Sequence, residues 1–196
     1  MIEISGAADE LAKDDETIKK IVEVLQLGGV AALPTDTIYG LSCLADKANA
    51  LERISQMKGR EINKTFLLLI DSWEMAEEWA VITPEHKEVL QKVWPGPTTV
   101  ILQAQKSVPF LVTAENTIAL RWPADSFLTS LLSKLHAPLV STSLNKAGQP
   151  NLLEPLGLED YFGDLAPELV VQVGPLAAQP SQIIDLRNPG EPVAIR

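Results

Sequence analysis

Two spacings of apolar residues alternate along this chain, and the changes between them divide it into short helices and strands. Residues 15–27 set Ile18, Ile21, Val22 and Leu25 at helical spacing, and Gly28-Gly29 ends that helix. Val30-Ala31-Ala32-Leu33 is a short apolar run closed by Pro34, the pattern of a buried strand. Helical spacing resumes over 46–58 through Ala50, Leu51, Ile54 and Met57, with Gly59 as its stop. Residues 65–70 (TFLLLI) are almost unbroken in apolarity, as expected of a strand covered on both faces.

Beyond this point the pattern predicts helices around 73–80 and 84–93, with Pro84 suited to a first helical turn. It predicts strands at 98–103 and 117–121, a helix over 124–135 and a strand at 138–141. Weaker strands are expected at 169–173, 183–186 and 193–195. Helices and strands interleave throughout, so the expected class is α/β, a mixed sheet flanked by helices. The sequence shows no internal repeat and no Gly/Ser-rich linker, which predicts one domain over 1–196. Residues 149–165, with two prolines and two glycines, are expected to be the most mobile stretch.

Composition narrows the function. Lys plus Arg number 16 against 26 Asp plus Glu, a formal charge of −10 that argues against broad electrostatic binding to nucleic acid. Any anionic ligand must then be met by a few cations held in one place. Cys43 is the only cysteine, so no internal disulfide can form. The chain lacks a run of about 18 apolar residues and a basic, then apolar, leader. A soluble, cytoplasmic protein is expected, with no membrane partner. His86 and His136 stand apart from any zinc-like spacing; His86 reads as a solvated helix residue and His136 as a residue near a helix C-terminus. Walker-type, dinucleotide-binding and nucleophile-elbow motifs are all absent.

Three segments carry candidate chemistry, and each has two readings. Pro34 to Leu41 (PTDTIYGL) follows a strand, where Thr35, Asp36 and Thr37 form either a ligand-facing crevice or a turn that satisfies its own backbone. Lys58, Arg60 and Lys64 bring three cations into seven residues, either converging on a triphosphate or lying in solvent as exposed basic residues at a helix end. Ser141 to Gly148 (STSLNKAG) supplies hydroxyls and the Asn145 amide, either for phosphate and ribose oxygens or for a polar turn. Arg121, at the end of TIALR, reads as a carboxylate clamp or as a surface ion pair.

Taken together, GGVAALPTDTIYGL, the Lys58–Arg60–Lys64 spacing, WPGPTTVIL, TIALRWP, PLVSTSLNKAG and PSQIIDL resemble the YrdC-type threonylcarbamoyl-AMP synthase family from about Thr17 to Arg196. The resemblance implies a YrdC-like twisted sheet around a concave basic cavity. It implies a nucleotidyltransferase that makes threonylcarbamoyl-AMP and pyrophosphate from L-threonine, bicarbonate and ATP, with Mg²⁺ accompanying the triphosphate. The product would pass to a threonylcarbamoyl transferase complex that modifies position 37 of tRNA, with weak or no direct tRNA binding by this chain.

Carried over residue by residue, the resemblance gives ATP contacts at Lys58, Arg60, Lys64, Thr117, Ser143, Asn145 and Arg196, with Lys58 and Arg60 catalytic. It gives threonine contacts at Thr37, Arg121 and Gln182, with Ser181 beside Gln182 closing the pocket. The chain departs from the family pattern at Thr65-Phe66, Leu144 and Ala147. A sister branch shares Ser-Thr-Ser-Leu but tends to lack the basic trio and the asparagine. An RNA-binding member without synthase activity, and a related carbamoyl-adenylate enzyme, are the alternatives.

Overall fold

The computed structural model describes residues 1–59, 66–106 and 111–195. The described elements run β1 (Ile2–Ser5), α1 (Ala8–Leu11), α2 (Asp15–Gln26), β2 (Ala31–Leu33), β3 (Gly40–Leu44), α3 (Ala48–Lys58) and β4 (Leu67–Leu69). They continue with α4 (Trp73–Trp79), α5 (Pro84–Leu90), β5 (Thr98–Gln103), β6 (Thr117–Arg121), α6 (Ser126–Leu135) and β7 (Leu139–Ser143). The last are α7 (Leu158–Phe162), a 3₁₀ turn (Gly163–Leu165), β8 (Leu169–Gln172), β9 (Gln182–Asp185) and β10 (Val193–Ala194).

All these strands join one mixed sheet in the order β1-β8-β2-β3-β7-β4-β6-β5-β9-β10. β8 pairs in parallel with β1 and β2, β4 with β6, and β5 with β9. The remaining neighbours run antiparallel. The α/β class with a mixed sheet, expected from the interleaved pattern, is what forms.

Local sequence explains the helix ends. Asp14 caps α2 by accepting from the backbone N–H of Glu16 and Thr17, and Gly28 ends the turn beyond it at φ +84°. Gly59 stops α3 at φ 59°, a left-handed position that costs a glycine little. Asp125 caps α6 through the Leu128 N–H at 2.7 Å. His136 occupies the left-handed C-cap of α6, the helix-end position expected for it.

His86 differs from expectation. It is 6% exposed, not solvated, because its ring closes a capping box. Nδ1 accepts from the Thr83 N–H at 3.1 Å while Nε2 lies 2.9 Å from the Leu186 carbonyl. A carbonyl only accepts, so Nε2 carries the proton.

Packing splits by face. α3, α4 and α5 cover one side, over Val100, Leu102, Ile118, Leu120 and Val140. α1, α2 and α6 cover the other, over Ala31, Leu33, Leu69, Leu139 and Leu169. That second layer spans only part of its face. Beyond it, Leu67, Ile101, Ala119 and Ile183 remain half-buried on the strands β4, β5, β6 and β9. Along the rim, Trp73 packs against Trp94 and Trp122, with ring centroids 6.2 and 5.7 Å apart.

Candidate active site

The uncovered half of that face is the floor of a cavity of about 340 Å³, within the usual range for a small-molecule site. Leu67, Ile101 and Ile183 form its apolar floor, and Thr35, Thr37, Thr99, Arg121, Ser141, Ser143, Asn151 and Ser181 supply its polar wall. Strand alternation decides who faces it, since i and i+2 share a side. Ala119 and Arg121 on β6 point in, as do Ser141 and Ser143 on β7.

At one end stands Arg121, 3% exposed. Its Nε donates to the Gly96 carbonyl and its Nη1 to Thr37 Oγ1, each at 3.2 Å, while Nη2 pairs with the Asp36 carboxylate. The ion pair is therefore buried, and the surface-pair reading of Arg121 falls. Thr35 Oγ1 lies 2.7 Å from the Ile38 carbonyl, to which it must donate, and 2.9 Å from Thr37 Oγ1. The hydroxyl order follows: Arg121 donates to Thr37, Thr37 to Thr35, and Thr35 to Ile38. Thr37 Oγ1 keeps acceptor capacity for a ligand. The loop satisfies its own backbone and also lines the cavity, so the two readings of PTDTIYGL do not exclude each other.

Asp125 lies close to this group. Burial pushes its carboxyl above the ordinary range, the Asp36 charge adds to that, and the Leu128 N–H and Arg121 oppose it.

At the other end, Lys58 closes α3. It is 1% exposed, contrary to the solvated reading, because its ammonium is drawn into the turn after β7. Nζ donates to the Ser143 carbonyl at 2.5 Å, to Ser143 Oγ at 3.2 Å, and to Asn145 Oδ1. Ser143 Oγ donates to Asn145 Oδ1 at 2.7 Å, and Asn145 Nδ2 to the Gln149 carbonyl at 2.5 Å. The Ala147 N–H returns to the Lys58 carbonyl at 2.8 Å. Lys58 thus sits behind Ser143, which forms the wall.

Other sequence-predicted residues divide. Ser181 is in the wall, 2.9 Å from Thr99 Oγ1. Gln182 is exposed and lies outside the wall, because one step along β9 reverses the side of the sheet. Thr117 is buried, its hydroxyl 2.8 Å from that of Thr113, and is not among the lining residues. Arg60, Lys64 and Arg196 lie outside the described residues. Among the described residues, Arg121 is the cation in the wall.

Asn151 lines the cavity and was not singled out from sequence. It belongs to the stretch expected to be most mobile, which hydrogen bonds fasten on both sides of it: Gln149 to Asn145, Leu152 to Leu144 and Leu153 to Leu176.

Residues 23–196 match the profile of the Sua5/YciO/YrdC family, described as telomere recombination. The chain belongs to this family. It is 33% identical over 173 residues to a threonylcarbamoyl-AMP synthase of Nitrosococcus oceani, covering 87% of this chain and 94% of that protein. It is 34% identical to a threonylcarbamoyl-AMP synthase of Pyrococcus abyssi over 86% of this chain, but spans only 50% of that longer protein. Among solved structures it superposes on P. abyssi Sua5 complexed with L-threonine with a TM-score of 0.84 at 29% identity, covering 100% of this chain and 56% of that one. E. coli YciO gives a TM-score of 0.85 at 27% identity, covering 100% and 93%.

No helix among the described residues is long and apolar enough to cross a membrane.

Proposed function

We propose that this protein is an L-threonylcarbamoyladenylate synthase using L-threonine, bicarbonate and ATP. The observation that carries the reading is the Arg121 guanidinium, buried in the cavity wall beside Thr37, with the hydroxyls of Ser141 and Ser143 lining the same cavity. The curated relatives at about a third identity, named for this activity, support it.

The threonine amine adds to bicarbonate and water leaves, giving a carbamate. A carbamate oxygen then attacks the α-phosphorus of ATP, the bond to the β-phosphate bridging oxygen breaks, and pyrophosphate departs. Arg121 holds the amino-acid carboxylate through two N–H groups. Thr37 Oγ1 accepts from the threonine hydroxyl or amine. The Ser143 hydroxyl, held by Lys58 and Asn145, turns its one proton from Asn145 Oδ1 to a phosphate oxygen when ATP binds. The half-buried aliphatic floor excludes water from the adenylate. No side-chain nucleophile is required, because positioning and charge stabilisation can supply most of the acceleration.

Among the described residues no group of three His, Cys, Asp or Glu side chains could hold a metal. In this reading Mg²⁺ arrives with the triphosphate, as part of the substrate. Arg60, Lys64 and Arg196 complete the phosphate contacts in this reading. The −10 formal charge argues against direct tRNA binding; in this reading the adenylate passes to a tRNA-modifying transferase complex in the cytoplasm.

The test is pyrophosphate release from ATP, dependent on both L-threonine and bicarbonate and abolished by a chelator. Release that ignores threonine sinks the proposal. The second reading is a family member without this activity, favoured by Ser141-Thr142-Ser143-Leu144, which a sister branch shares. The same assay separates the two.

A further inference from the structure

The Arg121 guanidinium carries five N–H donors. Three are committed within the protein, to the Gly96 carbonyl, Thr37 Oγ1 and Asp36 Oδ1. The remaining two, one on each terminal nitrogen, have no acceptor among the described residues. An arginine held at three points, with one donor left on each terminal nitrogen, is prepared for two-point contact with a carboxylate.

Asp36 differs from its neighbours in this arrangement. Thr35 and Thr37 line the cavity, whereas Asp36 between them does not. Its side chain is 17% exposed against 4% for Arg121. Asp36 thus holds Arg121 through Nη2 without belonging to the cavity lining.

We infer that Asp36 is a positioning residue: it fixes the rotation of the Arg121 guanidinium so that its two spare N–H groups face the amino-acid carboxylate. This rests on the synthase reading for the identity of the ligand, but not for the geometry. The glycine carbonyl and the threonine hydroxyl locate the guanidinium. Of the three acceptors only the carboxylate is charged, and it holds a terminal nitrogen, so it sets the angle of the fork.

The test compares wild type with Asp36→Asn and Asp36→Glu in threonine-dependent pyrophosphate release, with KM taken separately for each substrate. Asp36→Asn should raise the KM for L-threonine about tenfold, as expected when a carboxylate clamp loses its alignment. Its KM for ATP and its kcat should stay within about twofold of wild type, since Asp36 acts only through Arg121. Asp36→Glu, which keeps the charge, should recover most of the threonine KM. An unchanged threonine KM in Asp36→Asn overturns the inference, and a lower one does so by revealing a competing carboxylate. A parallel rise in both KM values with a fall in melting temperature overturns it too, as mere scaffolding. Where Asp36→Asn does not fold, Asp36→Glu decides by the same split between the two substrates. Failure of wild type to release threonine-dependent pyrophosphate defeats the synthase reading itself, whereas an active wild type with an indifferent Asp36→Asn defeats this inference alone.

Discussion

The two ends of the cavity use their cations differently. Arg121 is anchored by three acceptors and still has two donors to offer, whereas the three ammonium hydrogens of Lys58 meet a carbonyl, a hydroxyl and an amide oxygen of the turn after β7. Arginine's planar fork can be held and still present a face; a lysine ammonium so engaged is a bracket. In the proposed reading one end meets a ligand, and the other holds a residue that does. A residue's charge therefore does not reveal which of these tasks it performs.

That contrast can be broken most severely at the bracket. Lys58→Met should cost about 2–4 kcal/mol, because the Ser143 and Asn145 oxygens lose a buried charged donor. At about 2–4 °C per kcal/mol for a chain of this size, the melting temperature should fall by roughly 5–15 °C. Turnover should fall with it. A melting temperature equal to wild type would show that the ammonium is not structural.

At the opposite end, Arg121→Lys keeps a charge for Asp36 but loses the fork. The KM for threonine should rise about thirtyfold, with a smaller loss of thermal stability than in Lys58→Met. Equal thermal losses in the two variants would erase the distinction between clamp and bracket.

Asp125 offers a subtler probe of the arginine end. Its carboxyl is held above its ordinary value of 3.8, chiefly by burial, so the folded state disfavours its charge. The folded state binds the proton more tightly, so this group's contribution to stability falls as pH rises through 3.8 and on past the raised value. Asp125→Asn keeps an acceptor for the Leu128 N–H and cannot ionise. It should be more stable than wild type at neutral pH by up to about 1 kcal/mol, an advantage that vanishes in acid. An advantage that grows on acidification would contradict the assignment.

The smallest effect tests strand parity. Ser181→Ala should lower kcat/KM a few-fold, about 1 kcal/mol for one neutral hydrogen bond, whereas Gln182→Ala should match wild type within about twofold. The reverse order would mean that β9 presents its other face.

The same parity explains what could be read from the sequence. α2 and α3 were legible because buried positions recur at helical spacing and Asp14, Gly28 and Gly59 mark their ends. β3 was not: all five of its residues are buried, so it shows no alternation. β1, an edge strand with one half-buried residue, and the short α1 and α7 gave no period to detect.

At the site, Thr37, Arg121, Ser143 and Asn145 were identifiable by residue type and motif. For Lys58 the sequence left a triphosphate contact and a solvated cation both open; burial removes the second, and only the fold brings Ser143, 85 positions away in sequence, to its ammonium. Gln182 fell on the wrong side by one residue. Asn151 had no signal, because its place depends on how the loop after β7 is tied back to Leu144 and Leu176.

The indole trio on the rim gives this architecture a built-in optical gauge. Trp122 directly follows Arg121, and its carbonyl accepts from the N–H of Gly96, whose own carbonyl receives the guanidinium. Three of the chain's four tryptophans therefore sit within one or two links of the proposed clamp. Emission from the unlabelled protein should shift as an amino acid settles on Arg121, so occupancy can be followed in a cuvette before any turnover begins.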